Sequence, residues 1–250
     1  MRRLLAILLL FVALPVHAER VVLGLSQDEV AITATFTGSE LLIFGAVQRE
    51  EPTPTDSELG VIIAVSGPAL PVTVRRKERR MGIWVNTDFV EVDAAPSFYA
   101  VATSAPFGDL LKDLEDLRHS VSIPRAVRSV GATVADTESF TEALIRLREN
   151  DDLYQYLEGT VDLEQDTLFR TSIKLPANLT EGDYATRILL TRNGEIVDEY
   201  VANIPVNKVG IERWLYELAQ EQAILYGLMS LAIAIAAGWG ASAIFAALRR

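Results

Sequence analysis

Apolar positions along this chain keep one period, change to another, and return to the first. Between residue 20 and about residue 104 they come in short runs. Val21-Val22-Leu23 opens the series, and Val30, Ile32, Ala34 and Phe36 then alternate with Ala31, Thr33 and Thr35. Period two predicts a half-buried strand. Thr37-Gly38-Ser39 reads as a turn and Leu41-Leu42-Ile43-Phe44 as another strand, whereas 48–57, with Pro52 and Pro54, reads as a loop. Residues 59–65 form a buried-type strand that Gly67-Pro68 stops, and further strands fit 72–75, 83–85, 89–92 and 98–103. Seven or so short strands between turn signals predict a small, immunoglobulin-like β-sandwich.

From Phe107 the period lengthens. Leu110, Leu111, Leu114 and Leu117 recur at helical spacing with Asp109 as the cap. Ser139 and Glu142 stand three apart as a capping box, and Phe140, Ala143, Leu144 and Leu147 share one face of a second helix ending by Gly159. Strand character returns at 167–175. Two more β-rich runs, 184–191 and 195–206, flank Asn193-Gly194, the pair that a type I′ hairpin turn favours.

The two ends are apolar in different ways. Met1-Arg2-Arg3, thirteen apolar or small residues (4–16) and Val16-His17-Ala18 together predict a secretory signal cleaved after Ala18. Near the other end, 223–248 is a run of twenty-six uncharged residues closed by Arg249-Arg250. That is long enough to span a bilayer, and Trp214, Tyr216 and Tyr226 near its entrance suit an interfacial belt. The basic pair predicts that the helix runs outward to inward. Within it Ser230, Ala234, Gly238 and Ser242 are spaced by four, and Ala232, Ala236 and Gly240 form a second such row. Small residues at this spacing let another helix approach closely, which points to packing against a membrane partner.

The organisation expected is therefore mainly β (α+β). It comprises a signal peptide (1–18), an N-terminal β-sandwich module (19–105), a helical segment (106–160) and a C-terminal β module (161–210). A juxtamembrane amphipathic helix (211–222) and a transmembrane helix (223–248) follow. Charge adds that 19–222 carries 19 basic and 34 acidic residues, a net −15. Such a domain is repelled by nucleic acid and by anionic surfaces, so no nucleic-acid partner is expected. The chain has no cysteine, so no disulfide framework, thiolate metal site or thiol nucleophile exists.

Candidate chemistry is sparse. His119 is the only histidine beyond the signal, too little for a Ser–His–Asp arrangement, and it reads as a surface or interface residue. Asp113, Glu115 and Asp116, and the pair Asp151-Asp152, read as solvated helix faces. No metal set, phosphate-binding glycine loop or cofactor motif is present, so no catalytic residue and no cofactor is expected. One local anomaly stands out. Arg75, Arg76, Lys77, Arg79 and Arg80 bring together five of the nineteen basic residues, and Trp84 follows closely. They read as a charged hairpin tip or edge strand. The sharper alternative is a surface that holds a small anion or an acidic partner loop. Trp84 reads either as support for that surface or as a core tryptophan of the sandwich.

Several stretches together resemble the alphaproteobacterial putative transmembrane protein family. They are Arg75-Arg76-Lys77 with Gly82-Ile83-Trp84-Val85-Asn86, then Pro96-Ser97-Phe98-Tyr99, Gly182-Asp183-Tyr184, and Leu225-Tyr226-Gly227-Leu228 with Gly238-Trp239. The resemblance implies the same signal–ectodomain–single helix order, carries over no catalytic residue, and hints at work beside sulfite-exporter-type permeases. The expectation is a non-enzymatic, single-pass protein of a bacterial inner membrane, with a periplasmic ectodomain and a cytoplasmic C-terminus. It would be an accessory subunit of a multi-pass partner such as a sulfite or organic-anion exporter. The alternative is a stand-alone periplasmic module that binds or senses a small anion.

Overall fold

A computed structural model describes residues 20–26, 29–33, 36–48, 58–127, 137–208 and 211–248. The expected signal peptide, most of the proline-containing loop and the terminal arginine pair lie outside the described residues. The chain divides into two compact units. One takes in residues up to Val30 and 37–206, and the other 31–36 and 207–250.

The first unit is a β-domain, and its core follows from strands buried on one or both faces. β3 (Ser39–Gln48) and β10 (Leu168–Leu175) alternate, with Leu41, Ile43, Phe169, Ile173 and Leu175 turned inward. They pair antiparallel in a four-stranded sheet of order β1-β3-β10-β9, where β1 is Arg20–Leu25 and β9 is Asp162–Glu164. A second sheet has the order β2-β12-β11-β4-β7-β8. Its strands are β2 (Val30–Ile32), β4 (Leu59–Ser66), β7 (Tyr99–Thr103), β8 (Tyr154–Leu157), β11 (Gly182–Arg192) and β12 (Glu195–Lys208). In β4 the run Leu59 to Val65 is buried throughout. A strand buried on both faces needs cover on each side, which an unbroken apolar run makes worthwhile at about 1.5–3 kcal/mol per large side chain.

The helices come between β7 and β8, which run parallel. A parallel pair needs a crossover of a dozen or more residues. α1 (Phe107–Leu110), α2 (Asp113–His119), α3 (Ile123–Ala126) and α4 (Thr137–Asn150) lie within it. The single leucine-faced helix expected from residue 107 is broken at Leu111-Lys112. Leu110 and Leu111 are buried, whereas Leu114 and Leu117 are exposed. α4 begins at Thr137, so Ser139 lies inside its first turn and is not the cap. The helix stops at Asn150, and 154–157 is strand. Asn193-Gly194 does close the β11–β12 hairpin, with φ of 52° and 77°.

The protein is mainly β with one C-terminal apolar helix. The immunoglobulin-like arrangement is not confirmed: such sandwiches are built from antiparallel sheets, and the β7–β8 pair here is parallel. Strands from before and after the helical segment share both large sheets. The third sheet has two strands, β5 (Ala69–Arg80) and β6 (Ile83–Pro96).

The second unit contains the helices α5 (Ile211–Glu221) and α6 (Ala223–Leu248). Residues 223–242 of α6 form one candidate membrane span of mean hydropathy 1.8, none of it buried.

Candidate functional site

The β5–β6 hairpin carries the basic cluster. Its lower part belongs to the domain: Val90, Val92 and Ala95 are buried, and Tyr154 Oη donates to the Pro96 carbonyl at 2.8 Å. Arg76 is the last basic residue to take part in this packing. Its guanidinium lies 4.5 Å from the centre of the Phe140 ring and donates to Ser139 Oγ at 2.7 Å. Phe140 is buried, so the cation–π contact and the hydrogen bond together fix the hairpin to the first turn of α4.

Beyond Arg76 the surroundings change. Every residue from Lys77 to Trp84 is exposed. The ladder shifts by one residue between Arg76 and Lys77, leaving Thr87 extra on β6, a bulge that adds local twist. Above it Lys77 faces Asn86, Glu78 faces Val85, Arg79 faces Trp84 and Arg80 faces Ile83; below it Arg75 faces Phe89. Alternation along β5 puts Arg75, Lys77 and Arg79 on one face. Phe89 and Trp84 stand opposite two of them. Among the described residues Arg80 is paired with Glu78 alone, at 3.3 Å, in an exposed contact that contributes little. The turn is Met81-Gly82, with φ of 50° and 88°.

The five expected site residues are thus brought onto one strand and divided in role. Arg76 is used by the fold, and Arg75, Lys77, Arg79 and Arg80 are presented to solvent. Trp84 is not a core tryptophan, being 68% exposed. Sequence reasoning missed Met81, Ile83 and Phe89, which are exposed on the same arm. The signal was there in Gly82, whose flanking β-rich runs mark a hairpin once a two-residue loop is allowed.

The acidic groups and the histidine have structural work. Asp116 accepts from the amides of Val121 and Ser122 at 3.1 and 2.8 Å and from Ser122 Oγ at 2.7 Å. Glu115, expected on a solvated face, is buried and meets Arg118 at 2.6 Å. His119 sits between Glu199 at 3.5 Å and Glu115 at 3.7 Å, and Arg187 binds both Glu199 and the His119 carbonyl. Burial pushes the Tyr99 phenol up to about 12, with Arg187 pulling the other way, and burial also takes Tyr154 to about 12. Both act as neutral donors: Tyr99 Oη to the Val121 carbonyl at 2.8 Å, and Tyr154 Oη to Pro96. A trough of ≈ 680 Å³ lies beside Tyr154, Tyr156, Glu40 and Lys174. Gln155 bridges it, donating to the carbonyls of Asp152 and Lys174 at 2.8 Å each. Among the described residues, no three His, Asp or Glu side chains are grouped to hold a metal.

On α6 the small residues Ser230, Ala232, Ala234, Ala236, Gly238, Gly240 and Ser242 are all exposed. A Cβ added at Gly238 or Gly240 would touch nothing within 4 Å. At about 100° per residue, two positions apart is about 200°. The row beginning at Ser230 and the row beginning at Ala232 therefore lie on nearly opposite sides of the helix.

No curated protein matches the chain. A family model described as "Putative transmembrane protein" (Alph_Pro_TM) matches residues 20–247, nearly everything set out above from β1 to the end of α6. The chain belongs to that transmembrane protein family.

Proposed function

We propose that this is a non-enzymatic accessory protein, anchored in a bacterial inner membrane by α6, which holds a periplasmic β-domain beside a multi-pass partner. The observation that carries the reading is the placement of small residues on two opposite sides of one apolar helix. A symmetric helix pair needs one slim face per helix. A helix that is slim on both sides suits a groove between two neighbouring helices, as a multi-pass protein provides. The partner class favoured is a transporter such as a sulfite or organic-anion exporter, a choice that rests on the resemblance given above. Orientation follows the basic pair at the chain's end, which keeps the C-terminus cytoplasmic and the ectodomain outside.

The stand-alone anion-binding alternative is weaker. Arg76 is committed to Ser139 and Phe140, and the remaining cations stand along an open ribbon; Arg80 lines an open hollow there, together with Glu78 and Asp88, whose carboxylates repel an anion. Bidentate capture of a small anion needs guanidinium forks that converge.

The test is purification of the full-length protein from its native membrane in mild detergent, with co-purifying proteins identified by mass spectrometry. A multi-pass protein should come down with the native chain. It should be lost when Ala236→Leu and Gly238→Leu are combined, since these thicken both sides of the helix. Recovery of the chain alone from both preparations would remove the accessory reading.

A further inference from the structure

The β5–β6 arm has an order along its length that the accessory reading does not use. Its farthest point is apolar: Met81 is fully exposed, and Ile83 and Trp84 are 64% and 68% exposed. Arg80 and Arg79 stand opposite Ile83 and Trp84, Lys77 and Arg75 are set back from them, and the segment 75–84 contains five basic residues against the one acid Glu78. We propose that this tip is a membrane-interface anchor, which seats Met81, Ile83 and Trp84 among the lipids of an anionic bilayer while the cations beside and behind them meet phosphate headgroups.

Four features favour a lipid surface. The first is the depth profile. Interfacial elements enter the headgroup–acyl boundary by about 5–10 Å. At about 3.3 Å per residue, that depth covers the turn and the first residue or two on each strand. Those positions are Arg79, Arg80, Met81, Gly82, Ile83 and Trp84; the Arg79 and Arg80 side chains are long enough to carry their charge back to headgroup level, where Lys77 and Arg75 follow. Tryptophan between apolar and charged layers is the usual composition of a membrane interface.

The second is exposure on all sides. From Lys77 to Trp84 neither face of the ribbon is covered. A protein groove would cover one face and leave the other in water, whereas lipid surrounds an inserted tip evenly.

The third is the charge distribution. Residues 19–222 together are acidic enough to be repelled by anionic lipid. Met81 lies five residues along extended strand from Arg76, where the arm leaves α4, a reach of about 17 Å, and Arg79 and Arg80 lie about 10 and 13 Å out. These two cations are beyond the screening length of about 8 Å at physiological salt, so the tip presents its own positive charge to a surface. The local cluster thereby reverses the sign of the interaction that the whole domain would have.

The fourth is the turn residue. The αL position before Gly82 is held by Met81, where Asn or Asp would serve the turn better. A turn that gives up its favoured polar residue for a fully exposed methionine favours contact over water. The chain also has its own candidate membrane helix, which would tether the domain to a bilayer.

Trp84 provides the readout. The chain has three tryptophans, and Trp214→Phe with Trp239→Phe leaves Trp84 alone. The full-length chain is reconstituted into vesicles of phosphatidylcholine, with or without phosphatidylglycerol, containing acyl-brominated lipid as the quencher. The expected result is strong quenching of Trp84 with phosphatidylglycerol, several-fold weaker quenching without it, and the weaker level again for Lys77→Ser/Arg79→Ser/Arg80→Ser. Those positions are exposed, and an unchanged circular dichroism spectrum and Tm would show that the variant still folds. Trp84 left unquenched and open to acrylamide in both vesicles overturns the proposal, as does equal quenching in both lipids and in the triple variant. Unquenched in vesicles but shielded from acrylamide in native membranes, Trp84 would instead be covered by a protein. None of these outcomes depends on the co-purification result.

Discussion

β5–β6 and β11–β12 are both long antiparallel hairpins closed by two-residue turns with the same dihedral signs. Met81 and Gly82 have φ of 50° and 88°; Asn193 and Gly194 have 52° and 77°. The turns match, but the strands behind them do not. In β11 Ile188, Leu189 and Leu190 are wholly buried, and the strand is hydrogen-bonded on both sides, to β4 and to β12. Its turn is covered as well, the Lys112 amide donating to the Gly194 carbonyl at 3.0 Å. Among the described residues β5 and β6 pair with each other alone, and the outer part of their ribbon is open on both faces. A two-stranded ribbon alone in water is marginal at best. What holds this one is its packed base and the Arg76 bracket on Phe140. One hairpin forms part of the core; the other uses the core as a mount.

The largest test of that contrast is truncation in each hairpin. Leu189→Ala removes a wholly buried side chain and should cost about 2–5 kcal/mol of global stability. Ile83→Ala should stay within about 0.5 kcal/mol, as exposed substitutions do. Urea unfolding of the full-length protein in a fixed detergent would compare the two. Equal losses would mean that the arm is packed against something and is not a free ribbon.

A smaller effect separates the two turn glycines. Alanine at either pays the left-handed penalty, about 1–2 kcal/mol. At Gly194 the added Cβ would also lie 2.8 Å from Lys112 Cγ, disturbing a residue that meets Glu195 at 2.9 Å. At Gly82 it would touch nothing within 4 Å. Gly194→Ala should therefore lower the global unfolding free energy by about 2 kcal/mol. Gly82→Ala should be nearly silent there, because a free tip can open locally without unfolding the domain. A global loss at Gly82 as large as at Gly194 would show that the tip and the core unfold as one unit.

The same pair of hairpins shows what could be read from the chain. Asn193-Gly194 announced its turn because both residues tolerate positive φ for local reasons. The basic run 75–80 was legible as a hairpin tip or edge strand, but Met81-Gly82 did not announce its turn, since methionine has no turn chemistry, so one continuous arm was divided into the separate runs 72–75, 83–85 and 89–92. Trp84 was open to a core reading because aromatic residues in strands are usually covered. Exposure here follows from a ribbon leaving the domain, which no local pattern encodes. The alternation in residues 39–48 shows which face is buried, but not that 168–175 will be their partner. β8 has four residues and a parallel neighbour, too little for a period to show. The basic cluster and α6 needed no partner information, because composition alone marks a charge run and an uncharged span. Residue 76 was the exception within the cluster: its role depends on Phe140, sixty-four positions away in sequence, and became visible only once α4 was packed.

The smallest expected effect is also the one that separates turn chemistry from use. Met81→Asn puts a residue that favours αL into an αL position and should stabilise the tip by about 0.5–1 kcal/mol. Hydrogen exchange of the amides in 77–85 should slow roughly two- to five-fold, at about 1.4 kcal/mol per tenfold change. In vesicles containing phosphatidylglycerol the same substitution should work against insertion, weakening bromolipid quenching of Trp84, because an amide replaces the most exposed apolar side chain of the arm. The opposite signs make the pair informative. Slower exchange with undiminished quenching would leave Ile83 and Trp84 as the inserting residues and reduce Met81 to a tolerated turn residue. Exchange no slower than in the native chain would mean that the Met81 side chain already stabilises the turn in water, through a contact that an almost wholly exposed residue does not show.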